Sequence, residues 1–163
     1  MYAVDDLTHA DKATAYAELE KSLRALLESE PDFIACAANT AALLYWSLPE
    51  LNWAGFYLVE GASGELVLGP FQGKPACVRI AIGKGVCGTA AARRETVVVR
   101  DVHAFPGHIA CDSASNSEIV VPIVDGERLV GVLDLDSPRL ARFDADDQAG
   151  MERIAAIFVD SLT

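Results

Sequence analysis

The feature that most limits what this chain can fold into is a β-hairpin near its C-terminal end. Two apolar segments, Glu118–Val124 and Arg128–Leu135, flank the dipeptide Asp125-Gly126. An Asp-Gly pair between two such segments is a strong short-range signal for a tight hairpin turn. Toward the end of the second strand Asp134 and Asp136 alternate with leucines, so the two aspartates share one face of the sheet.

The position of Glu118 relative to those aspartates depends on the register of the hairpin. A strict two-residue turn would pair Glu118 with Leu133 and place it on the opposite face. Glu118 can join the aspartates only through a β-bulge, or if it lies before regular pairing begins. Pro122 cannot donate to the ladder, which favours an irregularity. The alternation fits an acidic site and a solvated strand end equally well.

Helical patterns occupy both ends of the chain. Thr8 and Asp11 resemble a capping box, and leucines at helical spacing up to Leu27 predict an amphipathic first helix. A second, more apolar helix is predicted from about Pro31 to Ser47, and Asp144 is expected to cap a last helix. With about six strands between them, the pattern predicts an α+β domain whose sheet is mainly antiparallel with helices packed on it.

The first predicted strand, Trp53–Val59, is joined by a glycine-containing turn to a second strand, Glu65–Leu68. Trp53, Gly55 and Tyr57 share one face because side chains alternate along a strand. A glycine between two aromatic rings leaves a gap that could admit a ligand. The alternative is that both rings belong to the core and that Gly55 marks a bulge.

The middle of the chain contains the sequence Gly83-Lys84-Gly85-Val86-Cys87-Gly88, which matches the G-x-G-x-x-G pattern of dinucleotide-binding folds. It lies between a predicted strand, Cys77–Ile82, and a helix, Thr89–Arg94, and residues 69–75 before that strand are expected to form a turn-rich connection. The helix has only about two turns before the next strand, Thr96–Val99, which is too short for a parallel crossover. The glycines therefore predict a tight strand-to-helix corner and no dinucleotide site.

Composition limits the class of protein. The chain has 163 residues, of which 52% are hydrophobic and 23% charged, so it can bury a core as one domain. No apolar run reaches the length that spans a bilayer, and a cytoplasmic protein is expected. The net charge of -11 opposes binding to a nucleic-acid backbone. The apolar first and last helices make a homodimer a further expectation.

The four cysteines are the main candidates for chemistry. Cys36 falls within the second predicted helix and is expected to be a small buried residue. Cys111 lies in an irregular polar loop, where a thiol is better explained by reactivity than by packing, although a cysteine of no special role remains the alternative. A zinc site built from Cys77, Cys87, His108 and Cys111 is a second alternative, but the spacing matches no established zinc motif.

Taken together, six segments of the chain resemble the free methionine-(R)-sulfoxide reductases, which are stand-alone GAF domains. The likeness covers nearly the whole chain, and its cysteine-bearing segments are the specific part. It implies a single GAF domain over residues 1–163, with the N- and C-terminal helices packed on one face of the sheet. The segments are Asn52–Tyr57, Gly69–Cys77, Gly83–Gly88, His108–Asp112, Ser117–Pro122 and Gly131–Ser137.

The resemblance also implies an activity and a set of residues. The activity is the reduction of free L-methionine (R)-sulfoxide to methionine, without metal or cofactor and with thioredoxin as the electron donor. Cys111 resembles the nucleophile and Cys77 the resolving cysteine, while Cys87 is a third thiol able to join a disulfide. The carboxylates of the substrate pocket correspond to Glu118, Asp134 and Asp136, and its aromatic wall to Trp53 and Tyr57.

These residue types suit the implied chemistry. A thiolate attacks the sulfoxide sulfur, and the resulting sulfenic acid condenses with a neighbouring thiol to a disulfide. Crowded carboxylates supply an acid because mutual repulsion raises at least one pKa, and the remaining negative charge can pair with the α-ammonium of a free amino acid. Asp112 should raise the pKa of Cys111, which a protonated His108 could offset. A small-molecule-binding GAF sensor without catalysis is the alternative function.

Overall fold

The computed structural model describes residue 7 and residues 11–162, and helices occupy both ends of this part of the chain. The first helix, α1, spans Lys12–Leu27 and is capped by Asp11, whose carboxylate accepts a hydrogen bond from the backbone N–H of Thr14. Thr8 of the expected capping box lies outside the described residues. The second helix, α2, spans Phe33–Ser47.

The start of α2 differs from the sequence-based expectation. Pro31 is not its first residue, because Asp32 takes an extended backbone conformation and its side chain accepts a hydrogen bond from the N–H of Ala35. An aspartate at this place satisfies a free N–H group at the end of the helix, which proline in the first turn cannot do. The helix therefore begins two residues later than predicted, at Phe33.

Six strands form one sheet in the order β3-β2-β1-β6-β5-β4. Every neighbouring pair is antiparallel. Three further helical segments follow β3: α3 at Gly85–Arg93, a short 3-10 helix at Val102–Ala104, and α4 at Ala145–Asp160. The strands are β1 Trp53–Val59, β2 Leu66–Gly73, β3 Arg79–Ile80, β4 Val97–Val99, β5 Ser117–Asp125 and β6 Arg128–Ser137.

Two boundaries in the middle of the chain also differ from expectation. β2 continues past Leu68 through residues 69–73, because this segment keeps pairing with β1 as far as Trp53 opposite Gly73. α3 begins at Gly85, so the glycine-rich corner supplies its first turn. A Cβ atom on Gly88 would come within 2.4 Å of the carbonyl oxygen of Ala81. The glycines therefore form the predicted corner, where the helix packs closely against the end of the preceding strand.

The two faces of the sheet have different roles. One face carries the main core, in which α2 and α4 cover the sheet and the N-terminal helix α1 packs against α2 and the C-terminal helix α4. The other face is covered by α3 and by the loops around it. Residues that alternate along the central strands separate accordingly. Ala54, Phe56, Leu133 and Leu135 lie in the main core, and Trp53, Tyr57, Val120 and Val132 lie on the other side.

A β-bulge in the β5–β6 hairpin decides which face Glu118 occupies. The hairpin starts with Asp125 opposite Arg128. This register alone would place Glu118 opposite Leu135, because Glu118 lies seven residues before Asp125 and Leu135 lies seven residues after Arg128. The register shifts by one residue between Ile123 and Val124, and Glu118 pairs with Asp136 instead. The bulge therefore brings the glutamate onto the face of the aspartates, as only an irregular hairpin could.

None of the helices in the described part of the chain is long and apolar enough to cross a membrane.

Candidate active site

A cavity with a volume of about 30 Å³ lies between the second face of the sheet and the loops that cover it. Side chains from β1, β5, β6 and α3 form its floor, and the segment 108–112 forms its rim. Seven of the eight predicted site residues line it, and the eighth, Cys77, is bonded to one of them. The seven are Trp53, Tyr57, Cys87, Cys111, Glu118, Asp134 and Asp136.

Cys77 and Cys111 form a disulfide at the rim of this cavity. They are 34 residues apart in sequence, and their Cα atoms are 5.5 Å apart. The other two cysteines, Cys36 and Cys87, are free and buried. The zinc site considered from the sequence is therefore wrong, because two of its four ligands are consumed by the disulfide.

Of the three acidic side chains at the cavity floor, Glu118 and Asp134 are buried and Asp136 is half-buried. Glu118 and Asp134 are 6% and 5% exposed. Burial raises the pKa of Glu118, Asp134 and Asp136 well above the usual range, and repulsion between neighbouring carboxylates raises each pKa further. Among the ion pairs of the described residues, none joins these three carboxylates to a lysine or arginine, so no fixed cation neutralises them.

Cys87 approaches two of these carboxyl groups. Its sulfur lies 3.4 Å from Asp134 Oδ2 and 3.9 Å from Glu118 Oε1. Burial, and then the negative charge of Asp134, raises the pKa of the Cys87 thiol well above its usual value. This cysteine is thus held as a neutral thiol, which is a poor nucleophile.

The other oxygen of Asp134 has an unusual environment. Asp134 Oδ1 is buried and accepts no hydrogen bond from any described N–H or O–H group of the protein. The raised pKa values of Asp134 and the adjacent Glu118 favour a proton held between the two carboxyl groups, which would satisfy this oxygen. A neutral carboxylic acid next to a carboxylate is an arrangement that can donate a proton to a bound molecule.

Three stacked rings form the aromatic wall. Trp53 stacks on Tyr57 with ring centroids 5.8 Å apart, and on Phe71 with centroids 5.3 Å apart. Phe71 was missed from the sequence, because residues 69–75 looked like a turn-rich connection. Tyr57 donates a hydrogen bond from its hydroxyl group to the carbonyl oxygen of Cys77, and the Trp53 indole N–H donates to that of Lys74. The wall therefore also holds the segment that carries Cys77.

The gap above Gly55 that could have admitted a ligand is filled by the stacked rings. A Cβ atom on Gly55 would lie 2.3 Å from the Cβ of Phe71 and 2.7 Å from the Trp53 ring. The pairing of β1 with β2 shifts register between Gly55 and Tyr57, which agrees with the alternative of a bulge.

The same contacts predict the effect of substituting this glycine. Gly55→Ala should destabilise the protein by about 1–3 kcal/mol, because Phe71 and Trp53 would have to move apart. Urea unfolding measures the change in the free energy of unfolding. Gly61→Ala is the matched control, since nothing lies within 4 Å of a Cβ at Gly61. Equal stability of the two variants would contradict the packing described for the wall.

A small polar network, also missed from the sequence, holds the loop that carries Cys111. The side-chain amide of Asn52 donates hydrogen bonds to Asp112 Oδ2 at 3.2 Å and to Ser115 Oγ at 3.0 Å. Asp112 also accepts a hydrogen bond from the backbone N–H of Ala114 and lies 3.8 Å from the Lys74 ammonium group. The backbone hydrogen bond lowers the pKa of Asp112, so a carboxylate stands next to Cys111.

The environment of His108 does not favour the positive charge that the sequence left open. Its Nε2 lies 3.6 Å from Glu118 Oε2, but burial lowers the pKa of the imidazole below its usual value. Loss of hydration favours the neutral ring at neutral pH. The possibility that a protonated His108 offsets the acidic groups around Cys111 is therefore not supported by this environment.

Comparison with known proteins assigns the chain to a class and then to a family. The GAF domain model matches residues 12–160. A protein from Escherichia coli, described as a free methionine-R-sulfoxide reductase, is 53% identical over 146 residues, which cover 90% of this chain and 87% of that protein. The chain therefore belongs to the free methionine-(R)-sulfoxide reductases of the GAF family, which are oxidoreductases acting on sulfur.

Two solved structures show the same fold. A free methionine-R-sulfoxide reductase from Neisseria meningitidis, solved with its substrate, is 47% identical and has a TM-score of 0.94. The match covers 99% of this chain and 96% of that protein. A protein from Burkholderia vietnamiensis described as a GAF sensor is 65% identical with a TM-score of 0.90, covering 93% of this chain and 96% of its own. The likeness thus extends over nearly the whole length of each protein.

Proposed function

We propose that this chain reduces free L-methionine (R)-sulfoxide to L-methionine in a thiol-dependent reaction. The observation that carries the proposal is the Cys77–Cys111 disulfide at the rim of a cavity whose floor carries the carboxyl groups of Glu118, Asp134 and Asp136. The structure of the relative from Neisseria meningitidis in complex with its substrate supports the same substrate class here.

In the proposed reaction the Cys111 thiolate attacks the sulfur of the sulfoxide. As the bond between the Cys111 sulfur and the substrate sulfur forms, the protonated sulfoxide oxygen leaves as water. Water then attacks the Cys111 sulfur, the sulfur–sulfur bond breaks with its electron pair going to the thioether of methionine, and Cys111 is left as a sulfenic acid. The Cys77 thiol then attacks the Cys111 sulfur, the disulfide forms, and the oxygen leaves as water. Two electrons from a dithiol donor, for which thioredoxin is the proposed source, return both cysteines to thiols.

The carboxyl groups are proposed to act as proton donor and as counter-charge. The sulfoxide oxygen is a poor leaving group unless it is protonated, and the raised pKa values of Glu118 and Asp134 favour a proton held by this pair. The negative charge that remains on the floor can pair with the α-ammonium of the free amino acid. A peptide-bound methionine lacks that ammonium, so the same charge favours free methionine sulfoxide.

The size of the cavity supports the proposal that the disulfide forms at the end of the reaction. A volume of about 30 Å³ has room for about two water molecules. Methionine sulfoxide is much larger than this, so the oxidised form is proposed to exclude substrate. Reduction would free the segment that carries Cys111 from Cys77 and let the cavity widen.

A non-catalytic sensor is the second candidate function, and the resemblance to the Burkholderia vietnamiensis protein favours it. The two candidates differ in what happens to the ligand. The reduced protein is incubated with a dithiol and with either diastereomer of free methionine sulfoxide, and methionine is measured by chromatography.

We expect methionine from the free (R)-sulfoxide and none from the N-acetylated (R)-sulfoxide, whose nitrogen carries no charge. Binding of the free sulfoxide without its consumption would favour the sensor.

A further inference from the structure

The reaction proposed above needs two sulfur atoms, and this leaves Cys87 without a required role in forming the disulfide. Its thiol is nevertheless buried in the cavity beside two acidic side chains. A sulfur and two carboxyl groups meet here from three elements: Cys87 from α3, Glu118 from β5 and Asp134 from β6. One ligand atom from each lies within 4.8 Å of the others.

The distances within this group suit a tetrahedral metal ion. Metal–sulfur bonds of about 2.3 Å and metal–oxygen bonds of about 2.0 Å place sulfur and oxygen ligands about 3.5 Å apart in a tetrahedron. The observed separations from Cys87 Sγ are 3.4 Å to Asp134 and 3.9 Å to Glu118. The three side chains therefore need only small shifts to enclose an ion.

Two further observations indicate a cation. Asp134 Oδ1 is a buried acceptor to which no N–H or O–H group of the other described residues donates. In the metal-free protein a proton shared by Asp134 and Glu118 can take this place, because the pKa of Asp134 is raised. No lysine or arginine of the described chain forms an ion pair with the acidic floor. A divalent ion bound by both oxygens of the Asp134 carboxylate would supply the missing partner of Oδ1 as well as the missing positive charge.

We propose that Cys87, Glu118 and Asp134 bind one thiophilic divalent cation of the Zn²⁺ class. A thiolate with two carboxylates selects zinc or cadmium over magnesium or calcium, which prefer oxygen ligands alone. The Cys87 S–H bond gives up its proton to solvent as the sulfur–metal bond forms, and no electron is transferred. Water would complete the tetrahedron as the fourth ligand.

Access to this position is from the rim of the cavity. Ile109 lines the rim and is 38% exposed, whereas the three ligands lie on the buried floor. A bound cation would occupy the space between the acids that the substrate needs. Zinc is therefore expected to inhibit turnover, and this consequence, unlike the binding itself, rests on the proposed function.

The binding is tested on the oxidised protein, in which the disulfide removes Cys77 and Cys111 as ligands. Cd²⁺ is titrated into the protein, and the ultraviolet absorption of the thiolate-to-cadmium bond is followed. We expect one cadmium per chain, with the band lost in Cys87→Ser and kept in Cys36→Ser, since Cys36 lies in the main core. Circular dichroism checks that each variant is folded.

A second variant keeps the test valid if Cys87→Ser does not fold. Glu118→Gln retains the thiol and the side-chain shape, and should weaken cadmium binding by at least about tenfold. No thiolate band in the oxidised wild type, or a band that survives in Cys87→Ser, would overturn the inference. Cadmium binding by a protein that consumes no methionine sulfoxide would leave the metal site standing and refute the proposed function.

Discussion

Replacing Cys111 with serine is expected to abolish methionine formation, with a loss in kcat of at least about 10⁴-fold, or about 5 kcal/mol of transition-state stabilisation. A serine hydroxyl remains protonated at neutral pH and cannot form the sulfenic acid that the proposed reaction requires. Methionine released per chain, measured with a dithiol reductant, gives the result. Multiple turnover in Cys111→Ser would refute Cys111 as the nucleophile.

Cys77→Ser should behave differently from Cys111→Ser. The first chemical step remains possible without Cys77, so each chain should form one equivalent of methionine when no reductant is present. Without the resolving thiol, the sulfenic acid on Cys111 should accumulate and react with a dimedone probe. Cys36→Ser is the matched control, because that thiol lies in the main core and should leave turnover unchanged.

Replacing Asp134 with asparagine should lower activity and raise stability. The variant cannot hold the proton of the carboxyl pair, and loss of a general acid typically costs about 10²–10⁴-fold in rate. The same substitution removes a buried carboxyl group whose charge no cation offsets. Initial rates and urea unfolding at neutral pH measure the two effects, and Glu18→Gln on the exposed side of α1 is the control.

The stability difference should depend on pH with a defined sign. The pKa of Asp134 is raised in the folded state, so above about pH 4 the folded protein holds more protons than the unfolded chain. The wild type therefore loses stability as the pH rises from about 4 through the folded-state pKa. The variant lacks this part of the loss, so its advantage should be small at about pH 4.5 and larger at about pH 8. An advantage that is independent of pH would contradict the assigned environment of Asp134.

The fold could be predicted largely because its hairpins carry strong local signals. The Asp125-Gly126 dipeptide predicted the β5–β6 hairpin, although the turn itself is shifted by one residue, with Asp125 pairing with Arg128. The bulge that moves Glu118 onto the acidic face could only be left open, since an extra residue in a strand has no fixed sequence signature. Which face the glutamate occupies is decided by packing across the sheet.

The site was harder to predict where its parts come from distant segments. The pairing of Cys77 with Cys111 came only from the family resemblance, because spacing along the chain does not determine which sulfurs meet. Phe71 was missed because the run of glycine and proline around it favours turns, whereas pairing with β1 holds it extended. Asn52 was missed because a single asparagine carries no signal until its partners Asp112 and Ser115 are placed beside it.

The proposed roles of Cys111 and Cys77 are tested most directly by a single-turnover reaction of the fully reduced protein. One equivalent of free L-methionine (R)-sulfoxide is added without reductant, and methionine and the disulfide-linked peptides are measured by mass spectrometry. We expect one methionine per chain together with a new disulfide between Cys77 and Cys111. Cys36 and Cys87 should remain free thiols that can be alkylated after unfolding. Methionine formed while Cys111 remains a free thiol, or no methionine at all, would contradict the proposed roles.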